Sequence, residues 1–590
     1  MRLTNVAHLR LPFGRLMGYD VTVSEPGAAL PVSFDQGRHV AAGDRAGSWM
    51  ALSFRLTDPV PRESLAAAWL AVIARHGTLR TVFTPGDDGQ PELSQVRISP
   101  GGWVEHPIAA GEAVNDALRD VLDEACSSYS RPAHRLCVLE TAAGPTIVVA
   151  ADHSHVDMWS MLVILRDFLT ALGRIESGAS PELDEVPAFV EHTRALIDRP
   201  TAPEDVRSRW AAILADCGDV MPLFPLPLGT ALPHAERVEV RDVFDVDDSA
   251  AFSAQAREDG VSTLALAVSA MTAVTREMAG APLRAVFPVH SRYDETWHDS
   301  VGWFITNSVI ESADPAPAAC ADAVREAVRL GSWPLADILV PWGGMPEAPG
   351  MFAISWLDLR RLPVRVDTAG LDAQYVGATI RTDGVMLWFI LDGSGLHLRC
   401  RYPDTPEARV SVGGWLDLLV AKMQAGARSS VGGVVRNRDG EEFRIQRATR
   451  ADVPAIVALL HDDEVGRTRE TDELARYEAA YDELTRDRSH YLAVVRSAAD
   501  DVVGTMQLTV LPGLTRAGTT RLQIEGVRVA AAQRSRGLGA AMLSWAHQHG
   551  RSHGATLAQL TTDEVRERAR SFYARNGYSA NHIGLKRDLS

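Results

Sequence analysis

Residues 145–175 read PTIVVAADHSHVDMWSMLVILRDFLTALGRI, and the change of pattern inside this stretch sets the fold class of the first part of the chain. The unbroken apolar run Ile147–Ala151 suits a strand buried on both faces, and ADHSHVD turns it. From Trp159 onward apolar residues recur every three or four positions, which predicts a helix packed on a sheet. A buried strand running through a polar turn into a helix is a place where chemistry sits.

Working outward, SWMALSFRL (48–56) predicts a strand and SLAAAWLAVIARHG (64–77) an amphipathic helix, so the first lobe is mixed α/β. A Pro-rich, charged stretch follows at about 176–235, with SGASPELDEVP (177–187), the helix-like FVEHTRALIDR (189–199) and PLFPLPLGTALPHAE (222–236), and it reads as a crossover between lobes. A second α/β lobe is expected from helix-like STLALAVSAMTAVTREMAG (262–280) and strand-like LRAVFPVH (283–290), MFAISWLDL (351–359) and VMLWFILD (385–392). AGARSSVGGVVRNRDGEEF (425–443) lacks periodicity and reads as a linker. After it FRIQRATRADVPAIVALLHDD opens a new domain with a strand, the helix cap Thr449 and a helix.

A chain of 590 residues exceeds what one core supports, so about three lobes are expected. Its 46% hydrophobic and 23% charged content is that of a soluble protein, and no run of about 18 uncharged apolar residues occurs. With no signal-like amino terminus, a cytoplasmic location is expected. Five scattered cysteines suggest neither a disulfide framework nor a zinc ribbon. A net charge of −17 argues against nucleic acid and anionic membranes as partners. A monomer is the default expectation.

In RLQIEGVRVAAAQRSRGLGAAMLSWAHQHG (521–550) a strand ends, a Gly-containing loop follows and a helix begins. Gly537 and Gly539 remove side chains where backbone N–H groups approach an anion, and the helix dipole favours that charge. Arg534 and Arg536 add positive charge. Alone, the pattern fits equally a loop that needs positive φ. With strand ATLAQLTT and then SFYARNGY following in order, residues 443–590 resemble the GNAT acetyltransferase family. The resemblance implies acetyl-CoA as cosubstrate, with the backbone of Val527 and Val529 on the pantetheine arm. Arg534, Arg536, Gly537, Leu538, Gly539 and Ala540 would cradle the pyrophosphate. Tyr573 matches the acid that protonates the leaving thiolate, and Glu525 the base that takes the amine proton through water. Arg566 stands where many relatives carry asparagine.

In the first part, ADHSHVDMWSM (151–161) resembles the HHxxxDG motif of the nonribosomal-peptide condensation and CoA-dependent acyltransferase superfamily. ARHGTLRTVF (74–83), FPVHSRYDE (287–295), VGWFITNS (301–308) and MFAISWLDL (351–359) match further segments in order, over about 30–430. The resemblance implies that His153 is the motif's second histidine, which orients or deprotonates the acceptor, and that Asp157 is its structural aspartate, paired with Arg292. Two positions depart from it: Asp152 replaces the first histidine, and Met158 replaces the glycine, adding bulk beside the reaction channel. His153-x-His155-x-Asp157 also looks like a hydrolase metal motif, but Met158 stands where that motif needs a ligand, and no metal is expected.

The fold class expected is therefore α/β: a two-lobed chloramphenicol-acetyltransferase-like condensation fold followed by a GNAT mixed α/β domain. Its divisions would be an N-lobe (1–175), a C-lobe (176–430), a linker (431–442) and the GNAT domain (443–590). The function expected is acyl transfer in natural-product biosynthesis. One domain forms an amide or ester from a carrier-protein- or CoA-bound thioester and a small-molecule amine or hydroxyl acceptor, and the other acetylates an amine. Two alternatives stand beside it, a non-catalytic condensation-like platform that binds a carrier protein and a GNAT domain that senses acetyl-CoA.

Overall fold

The computed structural model describes residues 2–587 apart from 88, 143, 231, 430–432, 463–469, 472, 486, 488, 583, 585 and 586. The chain divides into two compact units, Met1–Val243 with Leu264–Val420, and Phe244–Thr263 with Ala421–Ser590.

The first unit holds two seven-stranded sheets. In the first, strand Thr146–Asp152 is buried along its whole length, as its apolar run requires, and lies between Trp49–Arg55 and His134–Glu140. Arg15–Val23 and Ile98–His106 complete one side of this sheet. On the other side Gln374–Gly377 is inserted between Trp49–Arg55, to which it is antiparallel, and Arg2–Asn5, to which it is parallel. The boundary expected at 175/176 is thus crossed by a strand from far downstream. Helices Arg62–Arg75 and Met158–Glu176 cover one face, where Phe54 meets Phe168 edge-on at 5.7 Å and Trp69 is buried.

The second sheet runs in the order Ile305–Ser312, Leu283–His290, Phe352–Asp358, Val385–Asp392, Gly395–Pro403, His234–Phe244 and Arg381–Thr382. Helix Glu204–Asp216, whose Trp210 is fully buried, lies inside the stretch that read as a crossover.

The second unit is built on one six-stranded sheet in sequence order, Gly433–Arg436, Glu442–Arg447, His490–Arg496, Val502–Leu511, Arg521–Val529 and Leu557–Leu560. Only the last strand is parallel to its neighbour, because helix Leu538–Ser552 carries the chain back between them. The expected linker at 431–442 is corrected in part. Residues 433–436 form an edge strand, Asn437–Gly440 the turn of a hairpin, and 431 and 432 lie outside the described residues. Thr449 forms a capping box with Asp452 and starts a short 3-10 turn before helix Val453–His461. Helix Val246–Glu258, expected in the 176–430 lobe, groups with this unit.

A close approach inside the first unit gives a stability test. At Gly302 an added Cβ would stand 2.3 Å from Cγ of Phe189, a buried ring packed at 4.8 Å on Phe304. Gly302→Ala is expected to lower unfolding stability by about 1–3 kcal/mol through this overlap. Urea unfolding followed by tryptophan fluorescence measures it, and an unchanged midpoint would refute the packing.

Candidate functional site

The turn after strand Thr146–Asp152 is anchored by Asp157. Its side chain caps helix Met158–Glu176 by accepting from Ser160 N at 2.7 Å, and it accepts from Phe304 N at 3.0 Å. Arg292 donates to it through Nη1 at 2.7 Å and Nη2 at 3.3 Å. Arg292 also donates to Ser160 Oγ and to the carbonyls of Ser300 and Trp297. Its guanidinium lies over the rings of Phe304 at 4.0 Å and Trp159 at 4.8 Å. Both charges are buried. Burial alone would raise the Asp157 pKa, but the adjacent guanidinium and the hydrogen bonds of Ser160 bring it below the ordinary carboxylate range.

His153 stands four residues before this anchor, half-buried, with its backbone N–H donating to Ser48 O at 3.0 Å. Its ring packs on Trp303 at 4.5 Å, and both its Nδ1 and Trp303 Nε1 are buried with no hydrogen-bond partner among the described residues. Burial, helped by nearby His39, lowers the His153 pKa to about 4. At neutral pH the imidazole is therefore uncharged and able to accept a proton.

Asp152, in place of the motif's first histidine, faces away into a set of donors. Ser48 Oγ lies at 2.6 Å, Ser128 Oγ at 3.2 Å and His39 Nε2 at 3.4 Å, and Ser154 donates through both N and Oγ. Burial opposes its ionisation, but His39, Ser154 and Ser48 hold its pKa below the usual carboxylate range. Arg45 Nη2 donates to His39 Nδ1 at 3.0 Å, so the hydrogen of His39 sits on Nε2 and points at Asp152. His39 and Trp303 were not singled out from sequence as site residues.

His155 turns elsewhere, onto Phe83 at 5.6 Å and Ser154 Oγ at 2.9 Å. His153, His155 and Asp157 thus engage separate partners. Met158 packs against the core of the first lobe, and its carbonyl accepts from Tyr375 OH at 2.6 Å. Part of the bulk expected beside the channel is taken up by that core.

In the second unit, Gly526 has φ +59° and the pairing of Arg521–Val529 with Val502–Leu511 slips opposite Thr505–Gln507, a bulge that splays the strand. The carbonyls of Val527 and Val529 accept from Arg528 Nη1 and Arg534 Nε, at 3.0 and 2.9 Å. Gly537, at φ +92°, begins helix Leu538–Ser552 with no side-chain cap, which leaves the amides of Leu538 and Gly539 open to an anion. A Cβ at Gly537 would come within 2.6 Å of Arg438, and one at Gly539 within 3.3 Å of Phe572.

Ala540 N is not open, since it donates to Gly537 O. The expected charge contribution is also corrected. Arg534 is paired with Asp462 at 2.8 Å, and Arg536 with Asp439 at 2.9 Å and Glu441 at 3.1 Å. An anion held here would rest on backbone and dipole more than on these guanidinium groups.

Tyr573 packs with Val527, Val529 and Phe572 on the core of this sheet, half-buried. Burial raises its pKa above the phenol range against the pull of Arg528 and Arg566, so it holds its proton. Glu525 is exposed on the bulged strand, opposite Gln507. Arg566 precedes helix Glu567–Arg575 at its N-cap position, without a side-chain cap.

The class defined by these two units is a condensation-fold acyltransferase domain followed by a GNAT-family domain. Residues 39–328 match the condensation-domain family and residues 455–578 the acetyltransferase (GNAT) family, so the chain is a fusion of a condensation-type domain with a C-terminal GNAT domain. It is 30% identical over 303 residues to a probable non-canonical nonribosomal peptide synthetase, CymA, of Salinispora arenicola, covering 48% of this chain and 4% of that one. It is 25% identical to the isonitrile lipopeptide synthase of Mycobacterium tuberculosis, covering 58% of this chain. The chain spans only 4% and 15% of these two relatives' own lengths. Acyltransferase PapA3 of the same species is 23% identical over 68% of this chain and 90% of its own.

Among solved structures, the PapA2 acyl transferase superposes with a TM-score of 0.64 at 18% identity, covering 72% of this chain and all of that one. The first condensation domain of the CDA synthetase gives 0.53 at 14%, covering 68% and 97%. These likenesses establish the two-lobed condensation fold. Among the described residues no helix is long and apolar enough to cross a membrane.

Removing one charge of the anchor leaves the other buried without a partner. Arg292→Met is expected to cost about 3–5 kcal/mol, whereas Arg292→Met with Asp157→Leu costs less than the sum of the single changes. Because the folded Asp157 pKa is depressed, its stabilisation is full above the unfolded carboxylate pKa near 4 and is lost as pH falls below it. Denaturation midpoints of the four proteins between pH 3 and 7 measure both effects.

Proposed function

We propose that this chain is a bifunctional acyl-transfer enzyme of natural-product biosynthesis. In its first domain an amine or hydroxyl acceptor attacks an acyl thioester carried by a carrier protein or by CoA. The observation that supports this most directly is an uncharged imidazole, His153, held beside the unpartnered Trp303 N–H by the buried Asp157–Arg292 anchor. In the reaction the acceptor's nitrogen or oxygen bonds to the carbonyl carbon, the C–S bond breaks, and the acceptor's proton passes to His153 and on to the leaving thiolate. Asp157 and Arg292 position the turn and touch no reacting atom.

In the second domain the substrate is acetyl-CoA, with its pyrophosphate on the open start of helix Leu538–Ser552 and its pantetheine arm along the bulged strand. Tyr573 gives its proton to the departing thiolate, and Glu525 receives the amine proton through water. The acceptor is a small molecule. The enzyme would work in the cytoplasm with a carrier protein acting in trans.

A second reading has one specific observation in its favour. Asp152 is an ionised carboxylate, so one of the motif's two imidazoles is missing, as it would be in a platform that binds carrier protein without turning over. In that case the GNAT domain is the one working enzyme.

Calorimetric titration of acetyl-CoA into the full chain tests the second domain. One molecule is expected to bind per chain, and Gly539→Arg is expected to weaken binding at least about tenfold, because the added side chain crowds Phe572 and Val529 beside the helix start. No binding would remove acetyl-CoA from the proposal. For the first domain, hydrolysis and transfer of an acyl-pantetheine thioester are followed against pH. With a His153 pKa near 4, the acid limb should fall near pH 4 and not near 6.5, and His153→Ala should abolish it. Turnover unchanged by His153→Ala would select the platform reading.

A further inference from the structure

His549 lies in the last turn of helix Leu538–Ser552, and His553, four residues on at the helix C-cap, follows it on the same face. Both reach Asp247, in the first turn of helix Val246–Glu258 of the same compact unit. His549 Nδ1 lies 3.2 Å from Asp247 Oδ1 and His553 Nε2 lies 3.6 Å from Asp247 Oδ2. All three ligand atoms fall within 4.8 Å of one another. A tetrahedral zinc site with bonds of about 2.0–2.1 Å places its ligand atoms about 3.3–3.4 Å apart, so the cluster needs little closure.

The hydrogen bonding around His553 orients its ring. Its Nδ1 donates to the carbonyl of His549 at 2.8 Å, which leaves Nε2 facing a carboxylate oxygen of Asp247. A backbone carbonyl orienting the far nitrogen is also the outer-shell contact of metal-bound histidines.

The surrounding charge favours a cation. Asp245 and Asp247 both face the guanidinium of Arg447, at 3.6 and 3.2 Å, so two carboxylates share this one positive side chain. Trp545 stacks on His549 at 5.2 Å and Tyr491 lies against it at 4.9 Å, so His549 is buried against an aromatic wall while Asp247 and His553 stay half-buried.

We propose that Asp247, His549 and His553 bind a divalent transition ion, zinc by ligand chemistry, with water as a fourth ligand. The ion ties helix Val246–Glu258 to the end of helix Leu538–Ser552. The proposal departs from the expectation of no metal drawn from sequence, and the site is independent of the function proposed above.

The test uses the full chain stripped with a chelator. Zinc is titrated calorimetrically, and cobalt(II) by its visible absorption. One equivalent of zinc is expected, with a raised melting temperature and the absorption bands of a four-coordinate cobalt site. Asp247→Asn, His549→Ala and His553→Gln should each weaken binding at least about tenfold, and His549→Ala with His553→Gln should remove it. Circular dichroism of each metal-free variant shows whether it is folded, and His553→Gln, at a half-buried position, keeps the test open if His549→Ala unfolds. Substoichiometric binding, or equal affinity in the folded double variant, overturns the proposal.

Discussion

Asp157 is a carboxylate fully removed from water, and the arrangement of the first unit follows from how that charge is satisfied. Its two oxygens accept from the start of the helix it caps, from the backbone at Phe304 and from Arg292, so that one group joins a turn of the first sheet to a segment leading out of the second. Desolvating both charges offsets much of their attraction, so the pair adds less net stability than its short distances suggest. It fixes position. His153 lies four residues upstream on the same turn, and its placement against Trp303 depends on that turn being held.

The carboxylate at Asp152 changes the chemistry beside it. An imidazole there could exchange protons near neutral pH; a carboxylate surrounded by three serine hydroxyls and His39 stays ionised and only accepts hydrogen bonds. His39 is thereby drawn in from another helix, with Arg45 behind it. Of the histidines facing Trp303, only His153 has a nitrogen without a partner. Proton transfer in this cleft would pass through one ring.

Much of this was readable in the sequence because the deciding contacts are local. Strand, turn and helix across 145–175 follow from periodicity, and Asp157 caps the helix it begins. Arg292 could be assigned only because a family pattern links it to Asp157; spacing alone gives no hint of the pair. His39 and Trp303 escaped notice because neither carries a local signature and their meeting depends on tertiary packing. The 425–443 stretch looked like a linker because a four-residue edge strand and its glycine turn are too short and too polar to show alternation. His549 and His553 are visibly one helical turn apart, but nothing in the sequence ties them to Asp247. The guanidinium groups near Gly537 were legible as charges but not as charges already paired.

The strand Gln374–Gly377 has a consequence for how the molecule is made. It sits inside the first sheet, between Arg2–Asn5 and Trp49–Arg55, so residues 2–5 find their neighbour only after most of the first unit has been synthesised. Until then the edge of Trp49–Arg55 is an open row of backbone donors and acceptors. The nascent first lobe is therefore exposed to strand addition from another chain throughout that interval, and a chain cut at the apparent lobe boundary would carry the same open edge permanently.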